Sequence, residues 1–288
     1  MNLLALLLAA TTVFSFADPR IDESSGLVDL GALMVTTNDS GDDAVLYVLD
    51  GRGRTVGTTR YAGRVRDVEA LAPDGPGYVW AADIGDNGAV RDSVRIYRVP
   101  VGRGARTVRA PSYELVYPDG AHDAESLVVA GGRAYVVTKA LLGGPVYASA
   151  APLREDRPNR LHRVGTVDLF ATDAALLGSD RVIVRGYGTA AVLTFPGFEP
   201  VSSFALPAQE QGEGISVGPA GRIRLSSEGA HAPVLQIRLP AVREEPEEPR
   251  TAPAPATTRS DRSRRWMLPA AAGVLGVAGW MLVRRRRR

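Results

Sequence analysis

The chain has 288 residues, room for one large domain or two average ones. It contains no cysteine, which excludes a disulfide framework, thiolate metal sites and cysteine nucleophiles. The net charge of +2 is unevenly spread: residues 241–288 hold 11 arginines and 5 acids, leaving 23 basic against 27 acidic residues for 18–240, a balance that argues against nucleic acid as a partner.

Residues 1–17, "MNLLALLLAATTVFSFA", form an apolar stretch of leader length that ends in a small-x-small pattern, Ser15-Phe16-Ala17. The expectation is a signal peptide over 1–17 and an ectodomain over 18–240. A buried first helix or strand is the alternative, since no charged residue precedes the apolar run.

Between 18 and 240 helical periodicity is almost absent. Short β-rich runs such as "GALMVTT", "GYVWAAD", "RAYVVTK" and "RVIVRGY" alternate with Gly, Asp, Asn and Pro. Five repeats align on "DESSGLV", "DVEALA", "DAESLVV", "ATDAALL" and "QGEGISV", each followed by a turn, a second strand, a polar loop and a third strand. Their opening acids, Glu23, Glu69, Glu125, Asp173 and Glu213, lie 46, 56, 48 and 40 residues apart. Four-stranded units of about 40–50 residues are the signature of a β-propeller. The fold class is therefore all-β, a propeller of five blades, with six the alternative if one blade is degenerate. The last repeat lacks an obvious fourth strand, which the N-terminal segment near Arg20 is placed to supply.

Residues 241–265 are rich in Pro, Thr, Ala and charge and cannot bury a core, so they read as an extended stalk. Residues 266–283 carry no charge and are followed by five arginines at 284–288. About 20 apolar residues span a bilayer, and terminal arginines set the cytoplasmic side. The expected topology is a single-pass cell-membrane protein, bound to the lipid bilayer through this helix, with its main domain extracellular and its C-terminus cytoplasmic.

In a propeller the first strand of each blade lines the axial channel, and the loop between the second and third strands reaches the same face. The acids Glu23, Asp67, Glu69, Asp83, Asp86, Asp123, Glu125 and Glu213 are thereby expected around one channel mouth. Carboxylates crowded together either hold a hard cation or raise one another's pKa. With oxygen donors, no cysteine and only three histidines, Ca2+ or Mg2+ is favoured over zinc, and Ca2+ is the cation expected. Asx turns explain some of these loop acids without any ligand, and the repeated opening acid is equally able to serve the backbone. Asn38, Asp39, Lys139, Arg185 and Tyr187 lie in the corresponding loops and are the ligand-binding candidates. Lys139 is the chain's one lysine, and where arginine is otherwise used throughout, a compact ammonium suggests a specific need. His122, beside Asp123, joins Lys139 and Arg185 as a catalytic candidate. No GxSxG, P-loop or dinucleotide fingerprint occurs.

Over roughly residues 20–240, the recurring "DESSGLV", "DVEALA" and "HDAESLVV" resemble secreted bacterial propellers of the calcium-dependent group: regucalcin- and gluconolactonase-like enzymes, SdiA-regulated proteins and phytase-like esterases. That resemblance implies a metal-ligand role for Glu23. The deeper Asn and Asp ligands of the lactonase pattern have no counterpart here. Two functions follow as expectations. One is a surface-anchored binding module for a small-molecule or cell-surface ligand, with a divalent cation at its mouth. The other is a Ca2+-dependent extracellular hydrolase acting on a lactone or phosphoester.

Overall fold

The β-branched runs and turn residues produce 22 strands among the described residues of the computed structural model, which are 10–39, 44–61 and 65–240. Part of the first acidic loop (40–43), residues 1–9, the expected stalk, the membrane helix at 266–283 and the arginine tail lie outside them. No helix among the described residues is long and apolar enough to cross a membrane.

The strands form five antiparallel sheets, one per repeat. Blade 1 holds β2 (Ser24–Asp29), β3 (Met34–Asn38), β4 (Val45–Leu49) and β5 (Thr55–Arg60). Blade 2 holds β6 (Val68–Pro73), β7 (Tyr78–Asp83), β8 (Val94–Pro100) and β10 (Ser112–Val116). Blade 3 holds β11 (Ala124–Ala130), β12 (Arg133–Thr138), β13 (Gly144–Ala148) and β15 (His162–Val167). Blade 4 holds β16 (Asp173–Leu176), β17 (Arg181–Arg185), β18 (Thr189–Thr194) and β19 (Pro200–Ala205). Blade 5 takes β20 (Gly212–Val217), β21 (Ile223–Ser227) and β22 (Pro233–Ile237) from the end of the described chain, and β1 (Thr11–Ser15) from its beginning. Two short strands, β9 (Gly104–Thr107) and β14 (Asn159–Arg160), add in parallel to the outer edges of blades 1 and 2.

The inner strands touch in the order β2, β6, β11, β16, β20 and back to β2, so the ring is a closed five-bladed propeller. The six-bladed alternative is not formed. Ring closure by the N-terminal segment was expected near Arg20. The strand that provides it lies earlier, at Thr11–Ser15, so the propeller begins inside the segment read as a leader.

Alternating side chains explain how the blades hold together. On β3, Met34 joins the apolar cluster between blades 5 and 1, while its neighbour Val35 joins the one between blades 1 and 2. Five such clusters occur, one at each blade interface. Burial of both faces is why the strands read as near-continuous apolar runs. The later residues of the inner strands, among them Leu71, Leu127 and Ile215, line a mainly apolar cavity of about 140 Å³ at one end of the axis.

A candidate cation site at the channel mouth

The carboxylates at the other end are placed by β-bulges. In blade 2 the ladder pairs Val68 with Asp83 and then Ala70 with Ala82, leaving Glu69 in the bulge. Blade 3 does the same around Glu125, between Ala124 and Ser126. In blade 5 the irregularity between Gly212 and Ile215 contains Glu213. A bulge re-aims the extra side chain, and all three glutamates are at least 96% buried.

The other two blades depart from the expected acid ring. In blade 1 Ser24 pairs with Asn38 and Leu27 with Thr36, so Ser25 takes the place of Glu69 in the bulge; Glu23 lies two residues ahead of it, in register with Asp67 and Asp123. Blade 4 has no irregularity between Asp173 and Ala174, and Asp173 points away into the protein. Its carboxylate accepts from the N–H groups of Ala174 and Ile215, both at 2.8 Å, tying blade 4 to blade 5. Burial holds the Asp173 carboxyl well above its ordinary range.

Asp39, Asp67 and Glu69 form the tightest cluster, each offering a carboxylate oxygen within 4.8 Å of the others. Ser25 Oγ donates to the Glu69 carbonyl at 2.6 Å and to Glu69 Oε2 at 3.2 Å. Gly85, in the loop after β7, backs the pair: a Cβ there would collide with Asp67 Oδ2 and stand 2.7 Å from Glu69 Oε1. Asp67 Oδ1 is buried with no hydrogen-bond partner. Burial and then Asp39 push the Asp67 carboxyl up to about 7. Burial, then Glu125 and Asp39, push Glu69 well above its usual value. Crowded, desolvated carboxylates of this kind gain most from a hard divalent ion, which converts mutual repulsion into coordination.

The opposite side of the mouth is built around Lys139. Its ammonium pairs with Glu125 and sits over the rings of Phe170 and Tyr187, at 5.3 and 6.0 Å from their centroids. Burial acts to lower the Lys139 pKa, but the charge of Glu125 and the proximity of Tyr187 and Glu213 hold it above its ordinary value. For Glu125 burial dominates, and its carboxyl rises to about 8 despite the lysine. Glu213 is also raised by burial, against the pull of Lys139 and Arg185, and its Oε2 is buried without a partner. Tyr187 is 38% exposed, and Leu141 and Leu142, in the loop that follows Lys139, are exposed as well.

The remaining candidates are committed elsewhere. Asp83 accepts from Arg91 Nη1 at 2.8 Å and from the N–H groups of Arg66 and Asp67. Asp86 accepts from the N–H groups of Val90 and Arg91, and its own N–H donates to Asp123 Oδ1 at 2.8 Å. These acids build the turn: the Arg91 guanidinium pairs with Asp83, while Asp86 is held by backbone N–H groups. Arg185 is fully buried rather than displayed for a ligand. Its guanidinium donates to the carbonyls of Gly214 (3.0 Å) and Ser226 (3.1 Å) and to Gln209 Oε1, clamping blade 4 to blade 5. Gly212 leaves the space that this group fills. Even so, burial lowers the Arg185 pKa only to about 10, so the residue stays charged. Asn38 Nδ2 donates to the Arg20 carbonyl at 2.6 Å and anchors the entry to β2. His122 lies 2.9 Å from both Asp119 Oδ1 and the Tyr147 hydroxyl and packs on Tyr117, away from the carboxylate cluster.

Ser25, Gly85, Arg91 and Phe170 escaped the sequence reading. An arginine eight residues after Asp83 is the signal that pointed to its neutralisation. Nothing local marks Phe170 as the neighbour of Lys139, because they come from different blades.

No protein-family model and no curated protein sequence matches the chain. Among solved structures it is similar to the glutaminyl cyclase of Myxococcus xanthus, at 12% identity and a TM-score of 0.52, covering 81% of this chain and 97% of that one. A gluconolactonase from Xanthomonas campestris (12% identity, TM-score 0.46, 80% and 89% covered) and a glucose dehydrogenase (10% identity, TM-score 0.48, 81% and 100% covered) superpose less well. At such identities the likeness concerns the fold alone.

Proposed function

We propose that the chain is a membrane-anchored extracellular binding module whose channel mouth holds a divalent cation, Ca2+, on Asp39, Asp67 and Glu69. The observation that carries this reading is the convergence of three carboxylates: Asp39, Asp67 and Glu69 each offer an oxygen within 4.8 Å of the others beside Gly85, which makes room for them, and Asp67 Oδ1 is buried with no hydrogen-bond partner. Three carboxylates leave coordination positions for ligand oxygens, since Ca2+ takes about 6–8. The exposed Tyr187, beside Lys139, and the exposed Leu141 and Leu142 suit a small-molecule or cell-surface ligand with an apolar part. Anchoring rests on the uncharged 266–283 segment and its five following arginines.

Isothermal titration of the full chain with Ca2+ is the test. Saturable binding, abolished or weakened at least about tenfold by Asp67→Asn, is expected. Absence of binding by the wild type, or an unchanged affinity in Asp67→Asn, sinks the assignment. One observation favours the hydrolase reading as a second line. Glu125, with a carboxyl near 8 and held by Lys139, is able to exchange a proton near neutral pH beside the cation site. Lactone or phosphoester turnover that requires Ca2+ and is lost in Glu125→Gln is its signature.

A further inference from the structure

The ring is closed by a strand from the far end of the sequence. β1 pairs antiparallel with β22, Thr11 opposite Gln236 and Phe14 opposite Val234. Phe14 and Phe16, 7% and 1% exposed, pack with Ile21, Leu27 and Val234 in the cluster that joins blade 5 to blade 1. The contacts continue past the strand. Phe16 N–H donates to the Ala232 carbonyl at 3.2 Å, His231 Nδ1 lies 2.8 Å from the Phe16 carbonyl, and Ala17 N–H donates to the Gly53 carbonyl at 2.9 Å. Gly53, at φ +75°, has no room for a Cβ because the backbone of Ser15 lies against it.

We propose that the mature protein keeps its chain from Thr11 onward, so that no cut falls after Ala17, and that β1 latches blade 5 into the ring. The small-x-small pattern at 15–17 has a physical reason of its own: Ser15 ends a strand against Gly53, Phe16 is core, and Ala17 bonds to the blade 1 turn. A cut after Ala17 would strip two phenylalanines from an interface and leave β22 as an unpaired edge. It would also sever β1, paired with β22 of blade 5, from the chain that enters blade 1. The inference rests on the propeller and is independent of whether the mouth binds a cation.

The whole chain, expressed in a secreting bacterial host, is to be purified folded and its N-terminal residue determined by sequencing and intact mass. A start at or before Thr11 is expected; folded protein that starts at Asp18 overturns the proposal. Hydrogen exchange on the same material gives a second readout. The ladder-bonded amides of β1 and β22 should exchange more than about a hundredfold slower than in an unstructured peptide. Free-peptide rates there would overturn the latch.

Discussion

In metal-free protein, raising the pH from 5 to 9 is expected to lower the melting temperature, because the mouth carboxyls are held in their protonated form by the fold. Burial moves Glu125 from 4.5 up to about 8, and Asp67 moves from 3.8 up to about 7. A group whose folded pKa exceeds its unfolded one binds more protons in the folded state. Its stabilising contribution is complete below the unfolded pKa and disappears as pH rises through the folded one. Each unit is worth about 1.4 kcal/mol, so Glu125 alone forfeits on the order of 4 kcal/mol between pH 5 and 9. Asp67 adds less, being partly open to solvent and screened. At about 2–4 °C per kcal/mol for a domain of this size, the fall amounts to roughly 8–16 °C. Calcium should oppose it, since the ion binds the ionised carboxylates, and ligand at a hundred times its Kd adds about 2.7 kcal/mol. Scanning calorimetry at pH 5, 7 and 9, in chelator and in Ca2+, reads both effects. A melting temperature that holds or rises with pH in chelator refutes the burial argument. A Ca2+ increment that is equal at pH 5 and 9 refutes the site.

Three substitutions separate the roles of neighbouring residues. Gly85→Ala should weaken Ca2+ binding by at least about tenfold, or 1.4 kcal/mol, because its methyl displaces Asp67 and Glu69; unaltered titration would count against the cluster. Arg185→Leu should cost about 3–5 kcal/mol in urea unfolding, as it strands the Gly214 and Ser226 carbonyls and leaves Asp173 and Glu213 without their buried counter-charge. A loss below about 1 kcal/mol would refute the clamp between blades 4 and 5. Asp83→Asn should destabilise by about 3 kcal/mol through the unpaired guanidinium of Arg91 while leaving Ca2+ affinity unchanged; a parallel loss of affinity would place Asp83 at the cation after all.

The blades were legible because each is a local unit. Runs such as "YVWAAD" and "AYVVT" bury both faces, and Gly-, Asp- and Asn-rich turns separate them at short range, so strand identity and the loop order at the mouth follow from spacing, while closure of the ring decided five blades over six. The location of Asp67, Glu69, Glu125 and Lys139 on one face follows too, since the repeat dictates which loop meets which face. The bulges were not legible. A two-residue offset puts Ser25 where Glu23 was expected, and a one-residue offset turns Asp173 into the blade 4–5 interface.

The sequence by itself determined an all-β chain of five repeats with acids gathered at one end of the channel. Which cation each acid meets was decided in space and not along the chain, because a carboxylate's charge responds to the nearest guanidinium or ammonium. Arg91 folds back onto Asp83, Arg185 is spent on the carbonyls of the next blade, Lys139 serves Glu125, and Asp39, Asp67 and Glu69 converge within 4.8 Å of one another. Tertiary structure also decided the fate of Thr11–Ser15. An apolar segment reads alike as leader or as buried strand, and only the open edge of β22, more than 200 residues away in the chain, makes it the strand that closes the ring.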